Sequence, residues 1–134
     1  MKNLVYLFLL AFAFNSCSHD DTNTSEEVLL PIASVEMPAT ITVDNLATMM
    51  ITYNRPTDCH IFNGFYKTVD GSTYTVGISA LKFKQQNCMP DDQSIYEIPL
   101  QWTPTSAGEY TFKFWKGDNS SGIPQFIEYQ VVVE

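Results

Sequence analysis

Along most of the chain apolar and polar residues trade places at every second position, in short runs separated by turn-forming clusters. That period belongs to a β-strand with one buried face, because successive side chains leave a strand on opposite sides. The plainest run follows Ser106: Tyr110, Phe112 and Phe114 share one face, and Thr111, Lys113 and Trp115 share the other. Three more runs have the same form. Ala47, Met49, Ile51 and Tyr53 alternate with Thr48, Met50 and Thr52; Tyr96, Ile98, Leu100 and Trp102 alternate with Glu97, Pro99 and Gln101. Near the end, Ile127, Tyr129, Val131 and Val133 face inward against Glu128 and Gln130.

The remaining strands are expected on weaker signals. Leu29 to Pro38 reads as a first short strand bounded by Pro31 and Pro38, at an edge where a missing N–H does no harm, and Thr40 to Val43 alternates after it. A strand from Cys59 to Lys67 contains Asn63-Gly64, which suggests a bulge or a bend. Asp70-Gly71 predicts a hairpin turn with positive φ at both central positions. From Ser72 to Lys84 the phase changes: Tyr74, Val76 and Ile78 fall on one parity, Leu81 and Phe83 on the other. A bulge near Ser79 or Ala80, or a strand crossing between sheets, would reconcile them. Residues 85–93 and Gly117 to Pro124 read as loops, and no segment keeps a helical period for ten residues. Seven or eight short strands at roughly ten-residue spacing indicate an all-β sandwich or small barrel.

One short motif narrows the class. Gly108-Glu109-Tyr110, entering the aromatic run, resembles the tyrosine corner of the immunoglobulin-like fold, whose hydroxyl bonds back to main chain a few residues upstream. The resemblance implies an immunoglobulin-like antiparallel β-sandwich of seven to eight strands. Phe112 stands where antibody domains carry a cysteine, so their sheet-to-sheet disulfide is not implied.

The 134 residues suffice for one domain. Lys2 followed by the apolar run Leu4 to Phe14 has the form of a secretion signal, since eleven residues of helix rise only about 16 Å, short of a bilayer core. Ser16 directly before Cys17 resembles the lipobox of bacterial lipoproteins, with Phe14 in place of the usual leucine. That resemblance implies cleavage after residue 16 and alkylation of the Cys17 thiol with diacylglycerol, whose two acyl chains, normally joined by a third, make a firm anchor. The expected organisation is a signal peptide over 1–16, a polar tether over 17–28 and the sandwich over 29–134. Asp20 and Asp21 resemble the acidic export signal of Bacteroidetes lipoproteins, which implies the outer membrane and its cell-surface face, with the periplasmic face as the alternative. Asn54-Arg55-Pro56 and Asp58-Cys59-His60, joined to the late AGEYTFKFW strand, resemble uncharacterised single-domain lipoproteins of Bacteroidetes, for which no activity is implied.

Charge removes one class of partner. The chain carries −8, and loss of Lys2 with the leader leaves six basic against 15 acidic residues, or −9. Nucleic acid and anionic lipid head groups are repelled by such a surface. With Cys17 used by the lipid, Cys59 and Cys88 remain as a pair in an oxidising compartment and are expected to form a disulfide. Metal or thiol chemistry at these cysteines would need further ligands that the chain does not supply at a usual spacing.

The candidate chemistry is sparse. His60 has no nucleophile motif to serve; Asp91-Asp92 reads as a solvated turn rather than a calcium loop; Glu97, Glu109 and Glu128 fall on outward phases. No catalytic residue, metal or cofactor is expected. Phe62, Phe65, Tyr66 and Trp115 cannot all point inward, and exposed rings stack on sugar faces or anchor protein partners. Phe65, Tyr66 and Trp115 are therefore the expected ligand-binding residues, beside the Gly117 to Pro124 loop. The function expected is a lipid-anchored, non-catalytic binding or accessory module for a protein partner or a glycan. The alternative is a purely structural envelope lipoprotein within a larger assembly.

Overall fold

A computed structural model describes residues 24–84 and 87–134. The expectations for the leader, Cys17 and the acidic pair Asp20-Asp21 lie outside the described residues. Eight strands form: β1 (Ser25–Leu30), β2 (Ile32–Glu36), β3 (Ala47–Tyr53), β4 (His60–Asp70), β5 (Thr73–Phe83), β6 (Tyr96–Trp102), β7 (Gly108–Asp118) and β8 (Pro124–Val133). They build a β-sandwich, as the strand spacing predicts, with no helix among the described residues.

The larger sheet runs β4, β5, β7, β8, and the smaller runs β2, β3, β6. One edge of β5 is shared: β1 pairs with residues 78–83 and β7 with residues 73–76. Five of the six pairings are antiparallel as expected, whereas β5 and β7 run parallel. The reason is the route between them: the chain leaves β5, returns as β6 in the opposite sheet, and re-enters beside β5 in the same direction. In the larger sheet β5 lies between β4 and β7, and the tyrosine-corner strand β7 lies between β5 and β8.

The first strand is corrected in two ways. It begins at Ser25, inside the expected tether, and Pro31 divides it between the sheets rather than marking its start. Glu26 and Glu27, polar enough to read as tether, are tied to β5: Glu26 pairs with Lys82 at 3.7 Å and Glu27 accepts a 2.6 Å hydrogen bond from Ser79. Without an N–H at Pro31 the chain leaves the β5 ladder there and joins β3 as β2. The Thr40 to Val43 segment contributes a single bridge, Ile41 to Val133, and no strand.

Between the sheets lie Met49 and Ile51 from β3, Val76 and Ile78 from β5, and Phe112 and Phe114 from β7, all at most 1 % exposed. Each such side chain contributes about 1.5–3 kcal/mol by leaving water. Tyr74 stacks on Phe112 at 5.0 Å, and the Tyr129 hydroxyl donates to the Val35 carbonyl at 3.0 Å, linking β8 to β2 across the layers. The corner behaves as expected: the Tyr110 hydroxyl donates to the Ser106 carbonyl at 2.9 Å.

Two turn expectations are refined. In the hairpin, Asp70 pairs with Thr73, so Gly71 and Ser72 are the central residues, and of these Gly71 has a positive φ of 60°. This is the form with glycine first, not the expected one with positive φ at both positions. The phase change expected within β5 is not a bulge of that strand: Leu81 and Phe83 stay on the parity opposite the core residues, half-buried, and the irregularity lies in β4. Asn63 has no partner between Phe62 (opposite Ala80) and Gly64 (opposite Ser79), so the bulge falls at Asn63-Gly64 with Gly64 at φ 127°. No bulge interrupts β5 against β1, and Val76, Ile78 and Ala80 stay inward throughout.

Candidate binding groove

The bulge decides where the aromatic side chains of β4 point. By adding one residue it turns both Phe62 and Phe65 toward the interior, where their rings meet edge-to-face at 5.4 Å and pack against the core. Phe65 is therefore corrected: it is a packing residue and does not share the face of the other two expected rings. Tyr66 points outward and is 49 % exposed. It sits opposite Gly77 of β5, while Trp115 of β7 sits opposite Phe126 of β8.

These four residues form a row across the outer face of the larger sheet. Tyr66 and Trp115, far apart in sequence, line one open groove of about 200 Å³ together with Leu29, Gly77, Pro124 and Phe126. Gly77 is the floor. A Cβ placed there would stand 3.9 Å from both Leu29 Cδ2 and Tyr66 Cβ, so the absent side chain is what leaves the slot between the rings. Leu29, Gly77 and Phe126 are members that the sequence reading missed. The signal for Phe126 was present, since it lies on the parity opposite Ile127 and Tyr129; Gly77 becomes meaningful only once β4 and β7 are known to flank β5.

Trp115 and Phe126 each have a polar neighbour. Trp115 Nε1 donates to Asp118 Oδ1 at 3.0 Å, and Lys113 Nζ lies 4.6 Å from the centre of the Phe126 ring. Lys113 also pairs with Glu128 at 3.6 Å, so the cation beside Phe126 is already matched. The next row across the same face is polar: Thr68 opposite Thr75, and Lys113 opposite Glu128.

The remaining candidates are drawn together at one end of the sandwich, in a structural cluster. Cys59 and Cys88 form the expected disulfide, with Cα atoms 5.5 Å apart, so neither sulfur is free to act as a thiolate although Asp58 lies beside them. His60 is buried, its Nδ1 2.9 Å from Thr57 Oγ1. Asp91 is held by Arg55 Nε and by the Tyr96 hydroxyl, each at 2.5 Å, and Arg55 lies over the Tyr96 ring. Hydrogen bonds from Ser94, Tyr96 and Arg55 pull the Asp91 carboxyl down from 3.8 to about 2. The same bond to Asp91 raises Arg55 further above its ordinary value. Backbone bonds from Asp58 to Met89 and from Asp91 to Pro56 close the two loops on each other. Glu97, Glu109 and Glu128 are exposed, as their phases predict.

Comparison with known protein families, curated proteins and solved structures returned no match.

Proposed function

We propose that this chain is a lipid-anchored, non-catalytic binding or accessory module of the cell envelope, held by Cys17 in the outer membrane and facing the cell surface. Its contact with a protein partner or glycan is made by Tyr66 and Trp115. The observation that carries this reading is their convergence: rings from two strands of the larger sheet line one apolar groove with a glycine floor. Exposed apolar grooves on an otherwise polar surface mark interaction sites. The acidic surface and signal-like leader support an envelope location without nucleic acid. A non-catalytic role is supported by the groups that could do chemistry, which already hold one another in the disulfide and in the Arg55, Asp91 and Tyr96 cluster.

Two measurements test the reading. Cells fed labelled palmitate should incorporate it into wild-type protein and lose that label in Cys17→Ala; equal labelling ends the lipid-anchor assignment. Cross-linking in intact cells together with a glycan array, run on wild type, Tyr66→Ala and Trp115→Ala, should show binding that both variants weaken. Identical behaviour of all three would remove the groove from the binding site.

A further inference from the structure

We infer, on the premise that the groove binds a ligand at all, that its ligand is a neutral oligosaccharide, one ring of which lies over Gly77 between Tyr66 and Trp115. Size argues first. A groove of about 200 Å³ falls below the ~300 Å³ at which pockets for drug-sized ligands begin, which suits one ring-sized unit. A stable protein interface covers about 800 Å² per partner, far more than this slot offers.

Chemistry argues next. A sugar ring presents C–H bonds on its flat faces and hydroxyl groups around its rim. The C–H bonds carry partial positive charge and are drawn to the negative faces of aromatic rings. Tyr66, Trp115 and Phe126 supply such faces in one cross-strand row. Two strand spacings separate β4 from β7, so about 10 Å lies between the backbone attachments of Tyr66 and Trp115, with Gly77 on the strand between them and Leu29 at the border. The hydroxyl rim then meets the adjacent polar row of Thr68, Thr75, Lys113 and Glu128, which offers both donors and acceptors.

Charge and openness exclude the alternatives. The chain is −8 overall, and Lys113, the cation over the Phe126 ring, is already matched by Glu128, so charge favours a neutral ligand over an acidic saccharide or a phosphate. An acyl chain would stay half wetted, because Tyr66 and Leu29 are 49 % and 42 % exposed. A saccharide keeps its hydroxyl rim in water at no cost. The rings sit on strands, and Trp115 and Phe126 are oriented by Asp118 and Lys113 before any ligand arrives, which limits the entropy lost on binding.

The test is calorimetric titration of the full chain, purified in mild detergent, with neutral hexasaccharides derived from α-glucan, β-glucan, mannan and xylan, and with an acidic oligogalacturonate. Trp115→Ala and Gly77→Val are titrated beside it. Position 77 lies in a strand with no left-handed φ, and a Cβ there meets its nearest neighbours at ordinary contact distance, so Gly77→Val narrows the slot without straining the backbone; circular dichroism checks the fold of both variants. The expected result is binding of at least one neutral hexasaccharide, weakened about ten-fold or more in each variant. Binding that persists unchanged in both variants overturns the assignment, as does binding of the acidic probe alone. Flat neutral titrations overturn it too, and cross-linking in cells then separates two cases. A protein partner lost in both variants leaves the binding-module reading standing with a different ligand; wild type and variants cross-linking alike removes that reading as well.

Discussion

The two faces of β7 carry aromatic residues in adjacent positions and treat them in opposite ways. Phe112 and Phe114 face the smaller sheet and are held by other rings, with Tyr74 at 5.0 Å and Tyr129 at 6.1 Å from their respective partners. Trp115, next in sequence, faces solvent and is held by one hydrogen bond to Asp118 and by its neighbours around Gly77. On the inner face dense packing fixes the rings and removes their surface from use. On the outer face a polar tether and a missing side chain fix the ring while leaving its surface available. The difference is between rings that hold the fold and a ring that the fold holds.

Four substitutions break or sharpen this contrast. Phe114→Ala should cost about 3–5 kcal/mol in urea or thermal unfolding, the price of an unfilled cavity at a site 0 % exposed. Replacing Cys59 and Cys88 together by alanine should cost about 3–4 kcal/mol from the loop of 29 residues' separation. Hydrogen exchange should then show the 54–60 and 87–96 loops opening while amides around Phe114 stay protected. Trp115→Ala should cost about 1 kcal/mol. If it matched Phe114→Ala, the two faces would not differ in the way described.

The smallest effect is a pH dependence. Asp91 has a folded value near 2 against 3.8 when free, so its contribution is fully present above 3.8 and is lost as pH falls through that window toward about 2. Wild-type stability should therefore drop across that range, and Asp91→Asn should show a shallower drop. Parallel curves would mean that its bonds to Arg55 and Tyr96 add nothing to stability.

Strands with an unbroken period of two were legible from the sequence: in β3, β6 and β8 the residues that the alternation names are the less exposed ones, fully buried in β3 and mostly half-buried in the other two. The tyrosine corner and the disulfide were legible too, because each rests on a few residues with one favourable arrangement. What could not be read was which sheet each strand joins. Pro31 signals a break in a ladder, and a break does not say that the chain changes sheets there. The bulge at Asn63 was legible, but its consequence for Phe65 was not, since a single inserted residue reverses every side chain beyond it. The groove suffered most. Its members come from five strands, and only the lateral order of β4, β5, β7 and β8, with β1 entering beside β5, places Tyr66, Gly77, Trp115 and Phe126 in one row.

The division of the first strand at Pro31 has a mechanical consequence. Leu29, at the border of the groove, belongs to the same six-residue strand that continues toward the amino terminus. A pull between that end of the chain and an object seated on the outer face runs along β1 and loads its whole ladder with β5 in shear, so that many bonds must fail together instead of peeling apart singly. Force would thus be carried across the larger sheet, and the interior between the layers would be largely spared.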